Sequence, residues 1–412
     1  MRRAAVVLGS LEVFGPLSMD LSMPLLPQLA EDLGTSDSLA QTSMSVCMLG
    51  LAFGQLVAGP LSDRLGRRRP LLWGIALFTL FSLLCALAPS IETLLVARFL
   101  QGLTGSAGVV VALAAARDVA VGIQLVRLLS MLALVGALAP VLAPVVGGQL
   151  AAVLDWRGLF VVLAGVGVVL LAVAGTLLPE TLPAGLRHPG GFTEARRGFG
   201  TVLRDRLFVC YLLVGACTGT AFFTYLASVS FVLQEGFGLS PQAFGAVFAV
   251  NAVVAMLGAL FNRAAVRRAG PARMYVVGTT ATAVAALGLL GTVLAGLGLT
   301  ALLVALGLVL FSYGVISPNS SALALGGHGE RAGTAAALLG VSTFAVGPVV
   351  APLAALGGRA EVTMAVTMAV AAAVACALVW LAVRPRLRGA PAQPRRGGPE
   401  KDDAREHGTA AG

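Results

Sequence analysis

Apolar runs of about twenty residues recur from one end of this chain to the other, and each is long enough to cross a hydrocarbon core of about 30 Å. The stretch from Trp156 to Leu178, WRGLFVVLAGVGVVLLAVAGTLL, is typical. In lipid a backbone must satisfy its own hydrogen bonds, so repeated runs of this length demand membrane-spanning helices. Composition agrees. Of the 412 residues, 11% are charged, against about 25% in a soluble domain, too few to cover a water-facing surface. The start, MRRAAVVLGSLEVFG, reads as an uncleaved first span, because Glu12 interrupts the apolar region and no small-x-small cleavage site follows closely.

Setting apolar runs against loop signals gives twelve spans. They cover residues 4–27, 39–60, 70–89, 92–115, 125–152, 157–178, 206–233, 241–262, 273–296, 299–320, 332–356 and 361–383. The arginines test that number, since cytoplasmic connections are rich in Lys and Arg. Alternate connections carry Arg2 and Arg3; Arg64, Arg67, Arg68 and Arg69; Arg117 and Arg127; Arg187, Arg196, Arg197, Arg204 and Arg206; Arg263, Arg267, Arg268 and Arg273; Arg331; and the arginines of the C-terminal tail. The other connections hold only Arg157 and Arg359. An odd number of spans would scramble this partition, so both termini are expected in the cytoplasm.

The longest connection divides the chain. An N-terminal six-helix bundle is expected over residues 1–180, a cytoplasmic linker over 181–205 and a C-terminal six-helix bundle over 206–384. A disordered cytoplasmic tail over 385–412 follows, with Pro, Gly and mixed charge and no apolar face. The halves echo each other: GPLSDR from Gly59 resembles GALFNR from Gly258, and APVVGG from Ala143 resembles GPVVAP from Gly347. Such internal repetition marks many secondary transporters. The fold class is therefore an all-α membrane protein, twelve transmembrane helices in two pseudo-symmetric six-helix bundles.

Several classes of function fall away. No GxxxxGK[ST] pattern occurs and the sole lysine is Lys401, so ATP is not the direct energy source. The five cysteines all lie in apolar runs and the three histidines lie in loops or the tail. Neither has metal-ligand spacing, so no metal and no cofactor are expected. The net charge of +9 sits in the loops, where it orients the chain, and no nucleic acid partner is implied. The 51 glycines, among them Gly50, Gly54, Gly102, Gly105 and Gly108, read as close helix packing in a membrane.

Five motifs carry a family resemblance. GPLSDRLGRRRPLL (Gly59 to Leu72), ARFLQGLTGSAG (Ala97 to Gly108), PVVGG (Pro144 to Gly148), MDLSMPLLPQLAEDLG (Met19 to Gly34) and FVLQEGFGLSPQAFG (Phe231 to Gly245) stand in the correct order. With these the chain resembles the drug:proton antiporters of the major facilitator superfamily, and among them the Bcr/CflA (bicyclomycin/chloramphenicol-resistance) subfamily. The likeness covers nearly the whole chain except the tail. The resemblance implies alternating-access efflux of a small apolar or cationic drug in exchange for protons, by a functional monomer in a bacterial plasma membrane. Pro144, Gly147 and Gly148 match the antiporter motif, although the usual glycines are replaced at Ala139 and Ala143. The subfamily's first span commonly has an aromatic near Leu21 and Ser22, which this chain lacks.

Three ionisable groups lie inside spans, Glu12, Asp20 and Arg98. Charge at bilayer depth is costly and is a functional hypothesis by default. Glu12 falls near the midplane and Asp20 two turns further along, about 80° around the helix, so both can address one cavity. They are the candidates for proton coupling, with Arg98 as a third or as a structural donor to backbone carbonyls. In the charged loop, Gly59 and Gly66 are expected to allow a tight exit and close helix approach. Asp63 would face the N-terminus of span eleven, which favours negative charge, and Arg64 or Arg67 would pair with Asp118. Arg68 and Arg69 would hold the loop in the cytoplasm. Together these form an expected conformational latch. Gln101, Phe222, Tyr225 and Asn251 are candidates for lining the cavity. Two other readings stand beside drug efflux: a proton-coupled importer or exporter of a specific metabolite, and a transport-inactive membrane sensor or scaffold.

Overall fold

The proline pair Pro24 and Pro27 shapes the first element of the computed structural model. The structure describes residues 7–11, 14–120, 124, 128, 131–132, 135, 142–183, 185, 187, 200–326, 335, 338–343, 346–347, 349–350 and 359–384. The first span, expected as one helix to residue 27, is broken: helix α1 (Phe14–Asp20) gives way to a 3-10 turn at Met23–Leu25, then helix α2 (Leu26–Asp32). Proline has no N–H and cannot continue an α-helical ladder, which is why the break falls here.

Among the described residues, nine further helices are long and apolar enough to cross a membrane. In chain order they are α3 (Asp37–Leu65), α4 (Arg68–Ala86), α5 (Ile91–Val119), α6 (Trp156–Leu177) and α7 (Arg206–Phe231). They continue with α8 (Pro241–Ala269), α9 (Pro271–Leu294), α10 (Gly298–Gly326) and α11 (Ala360–Leu378). The expected fifth and eleventh spans are described only in part. Helix starts carry the expected chemistry: Ser36, Ser90, Asp155, Asp205 and Ser240 each accept a backbone N–H of the first turn. The helices α3, α8 and α10 run past the expected limits by one or two turns at the arginine-rich end. In α3 and α8 polar and charged residues continue the helix beyond its apolar stretch.

The internal repeat appears in the packing. In the first half α3 packs on α5, α4 on α5 and α4 on α6; in the second half α8 packs on α10, α9 on α10 and α9 on α11. The loop joining α3 to α4 turns at Gly66 (φ +89°) and that joining α8 to α9 at Gly270 (φ +77°), a conformation that L residues with side chains rarely adopt. Small residues set the closest contacts. A Cβ on Gly50, Gly54 or Gly102 would fall on the backbone carbonyls of Phe99, Leu103 or Cys47, and one on Gly258 or Gly314 on those of Phe311 or Ala255. Both halves thus pair their two longest helices backbone to backbone, as small residues permit in membranes.

The two arginines that stood on the wrong side of the charge partition are each locally occupied. Arg157 donates to the Ala86 and Ala88 carbonyls at the end of α4 (3.2 and 2.8 Å) and stacks 4.1 Å from the Trp156 ring. Arg359 pairs with Glu361 at 2.6 Å.

Candidate functional site

Asp20 closes α1 just before the proline break and is 5% exposed. No donor among the described residues bonds to its carboxylate, and Tyr225 of α7, in the other half, lies within electrostatic range of it. Tyr225 Oη accepts a hydrogen bond from Asn251 Nδ2 of α8 at 3.1 Å. The fifth-span motif buttresses the break. A Cβ on Gly147 would fall on the Leu21 carbonyl, so the two backbones touch directly beside Asp20.

Arg98 is 1% exposed. Its Nη1 donates to the Ser18 carbonyl at 2.9 Å and to Gln101 Oε1 at 2.6 Å; Gln101 Nε2 passes the chain on to Ser82 Oγ at 2.7 Å. The guanidinium carbon sits 5.3 Å from the Phe160 ring centroid. Among the described residues Nε and Nη2 find no partner, and no carboxylate pairs with the cation. A hydrogen-bonded buried cation with two idle donors is an expensive arrangement. Gln101, expected in the cavity wall, is fully buried and bound into this chain.

A small pocket inside the second half is lined by Thr218, Phe222, Tyr225, Thr282, Tyr313 and Met368 among others, with no charged side chain. Phe222 and Tyr313 stack face to face at 4.7 Å and 5°, and Tyr225 stacks on Phe248 at 5.8 Å and 17°. Tyr313 was not singled out from sequence. An aromatic in an apolar run gives no cue by itself, and only the fold brings it over Phe222.

The halves meet at the arginine-poor end. Ser230 Oγ donates to the Met23 carbonyl (2.7 Å), Gln234 Nε2 donates to the Pro24 carbonyl (3.0 Å), and Ser228 Oγ lies 3.5 Å from Gln41 Oε1. A Cβ on Gly148 would approach the Pro241 carbonyl to 2.6 Å, and one on Gly245 the Pro144 carbonyl to 2.6 Å. Gly147 therefore abuts the break beyond α1, while Pro144 and Gly148 abut the start of α8.

At the arginine-rich end, Arg67 rather than Arg64 holds Asp118, through Nε at 2.9 Å, while its Nη1 donates to Ser62 Oγ at 2.7 Å and pairs with Asp63. Arg64 is exposed. Asp63 is half-exposed with Arg67 as its partner; the expected start of span eleven lies outside the described residues, as does Glu12. Gly59 has ordinary room, 3.8 Å from Val110 to a built Cβ, so the close approach expected there is not needed. Arg68 donates to the Gly175 and Leu178 carbonyls at the end of α6 (2.6 and 3.0 Å), which gives it a structural task besides orienting the loop.

Sequence reading missed Glu180 and Thr181. Glu180 accepts from the backbone N–H groups of Arg67 (2.7 Å) and Arg68 (3.4 Å) and so caps α4 from another element. Partial burial pushes its carboxyl up. The N–H groups of Leu182, Arg67 and Arg68 and the Arg187 guanidinium outweigh that and hold it below the usual carboxylate range. A Cβ on Gly66 would strike the Glu180 carboxylate. Thr181 Oγ1 adds a 3.0 Å bond to Asp118. The signal was a lone carboxylate just past an apolar run, opposite an arginine cluster. In the second half the matching place is neutral, with Asn319 Nδ2 donating to Asn262 Oδ1 at 2.7 Å.

Residues 10–352 match the family profile of the Major Facilitator Superfamily. The chain is 37% identical over 365 residues to the uncharacterised MFS-type transporter YdgK of Bacillus subtilis (strain 168), covering 87% of this chain and 90% of that protein. It is 29% identical over 350 residues to a bicyclomycin resistance protein homolog of Haemophilus influenzae, covering 85% and 88%. In fold it is similar to a solved bacterial homolog of the human lysosomal transporter Spinster, with TM-score 0.76 at 16% identity, covering 94% of this chain and 98% of that one.

Proposed function

The chain belongs to the Major Facilitator Superfamily, and from that premise we propose that it exports small drugs across a bacterial plasma membrane in exchange for protons. It is a multi-pass membrane transporter of small molecules and not an enzyme. The observation that carries the finer reading is Asp20. A carboxylate with no donor among the described residues, sealed at the junction of the halves beside Tyr225, is stable there only with its charge neutralised, by a proton or by a cation. Rocking of the halves exposes it to each side in turn. Arg98 supports the same segment through the Ser18 carbonyl, and Glu12 is the second candidate carrier.

Phe222, Tyr225 and Tyr313 are the candidate wall of the drug site: the pocket between them has room for no more than about one water in this conformation and must widen as the halves move, and its uncharged lining suits a small, largely apolar ligand. The name of the Haemophilus influenzae relative supports an antibiotic as cargo. The arginine distribution supports charged loops in the cytoplasm, and on that reading the sealed seam faces outward. The Arg67 network ties the cytoplasmic ends of α3, α4 and α5 into one unit.

The test uses purified protein in proteoliposomes with a trapped pH dye. Adding drug should drive proton movement with the native chain, and Asp20→Asn should abolish it while membrane insertion stays normal. Coupled transport by Asp20→Asn would remove Asp20 from the mechanism.

A further inference from the structure

The proline break in the first span leaves main-chain acceptors that its own helix cannot fully serve. In an α-helix the Met23 carbonyl would take its bond from residue 27, but Pro27 has no N–H. The carbonyl instead takes the N–H of Leu26 in the 3-10 turn, and its second lone pair receives Ser230 Oγ from α7. Gln234, one turn further along, donates both to Ser230 Oγ at 2.7 Å and to the Pro24 carbonyl at 3.0 Å. Two side chains of the second half thus hold two carbonyls of the first, at a place where Met23 and Ser230 are both fully buried.

These bonds exist only while the halves are together at this end. We propose that Ser230 and Gln234 are the gate residues of the outer mouth: they clamp the unwound segment directly beyond Asp20 and so control whether that carboxylate opens outward. The proposal rests on the reading of Asp20 as the exchanging group only for its consequence; the clamp itself is a property of the seam. Parting the halves strips both carbonyls of their donors, and water entering the mouth must replace them. Opening therefore costs two neutral hydrogen bonds and wets the break in the same event. Glu235, next to Gln234, lies within electrostatic range of Glu31 and Asp37 in the first half, so the like charges around the clamp favour parting once it lets go.

The test is a distance measurement on the full chain, with the five native cysteines replaced and nitroxide labels on cysteines introduced at Thr35 and Phe237, one on each side of the seam. Ser230→Ala with Gln234→Leu should enlarge the long-distance population roughly tenfold relative to the short one. Gln234→Ala alone is the second variant. Gln234 is only partly buried, so the fold tolerates the change, and it removes the bond to the Pro24 carbonyl and the support of Ser230 Oγ, so it too should widen the mouth, by roughly threefold. It also decides the matter if the double variant fails to insert. A Gln234→Ala protein whose distance distribution matches that of the labelled parent overturns the clamp. Neither drug nor proton gradient enters this readout, so it stands or falls separately from Asp20→Asn. Labelling of the Phe237 cysteine by a membrane-impermeant maleimide, added outside intact cells, should succeed; protection there would overturn the assignment to the outer mouth.

Discussion

Glu180 is bonded where α4 begins, and its worth depends on its charge. A carboxylate accepting two N–H groups of a helix start also complements the positive end of the helix dipole. Glu180→Gln keeps the size and loses the charge. Because the side chain is partly exposed, the expected loss is roughly 0.5–1 kcal/mol at neutral pH, read as a lower melting temperature in detergent. The folded group titrates below its ordinary range, so its contribution is complete above that range and fades as pH falls through the folded value. The native and Glu180→Gln melting curves should therefore converge on acidification; a gap that persists in acid would point to packing instead. The arginines facing it were legible as a cluster and as an orientation signal. Their partners were not, because a lone acid 113 residues away from Arg67 announces nothing in a sequence. Asp20 and Arg98 were legible for the opposite reason, since charge in an apolar run is conspicuous wherever the chain folds.

Between elements, the close pairing of α3 with α5 rests on glycines that face carbonyl groups. A methyl group on Gly102 has no flexible side chain to displace, only the Cys47 backbone. Gly102→Ala should cost at least the 1–3 kcal/mol typical of overpacking, seen as reduced stability and poor recovery from the membrane. Gly165 of α6 has open space around it, and Gly165→Ala should be neutral or stabilising by up to about 1 kcal/mol. Equal behaviour of the two variants would mean that helix separation, rather than contact, sets this interface. The spans themselves were readable from hydropathy and the connections from arginine. The break in the first span was only half readable: prolines mark where a helix is weakened, but whether it kinks or unwinds depends on who serves the freed carbonyls. Here Ser230 and Gln234 serve them, over 200 residues away.

For the molecule as a whole, the described contacts between halves gather at the arginine-poor end. Gln41 and Ser228 stand on opposite sides of that seam, so a short bifunctional thiol reagent joining cysteines placed there should stop transport. The same reagent on either single cysteine should not; transport by the cross-linked protein would show that the seam need not part. Within the first half, α4 and α6 are tied at both ends, since each carries in its first turn an arginine that donates to carbonyls at the far end of the other: Arg68 to Gly175 and Leu178, Arg157 to Ala86 and Ala88. From Arg68 to Ala88 the rise is about 30 Å, close to the thickness of a hydrocarbon core. Two antiparallel rods pinned at both ends cannot shear, so a bilayer of the wrong thickness can be met only by leaning the pair as one body. Spin labels at the lipid-facing Trp73 and Val169 should keep a constant separation from short-chain to long-chain lipids, and that constancy should vanish in Arg68→Gln with Arg157→Gln. A transporter with such a member inside it carries its own gauge of membrane thickness.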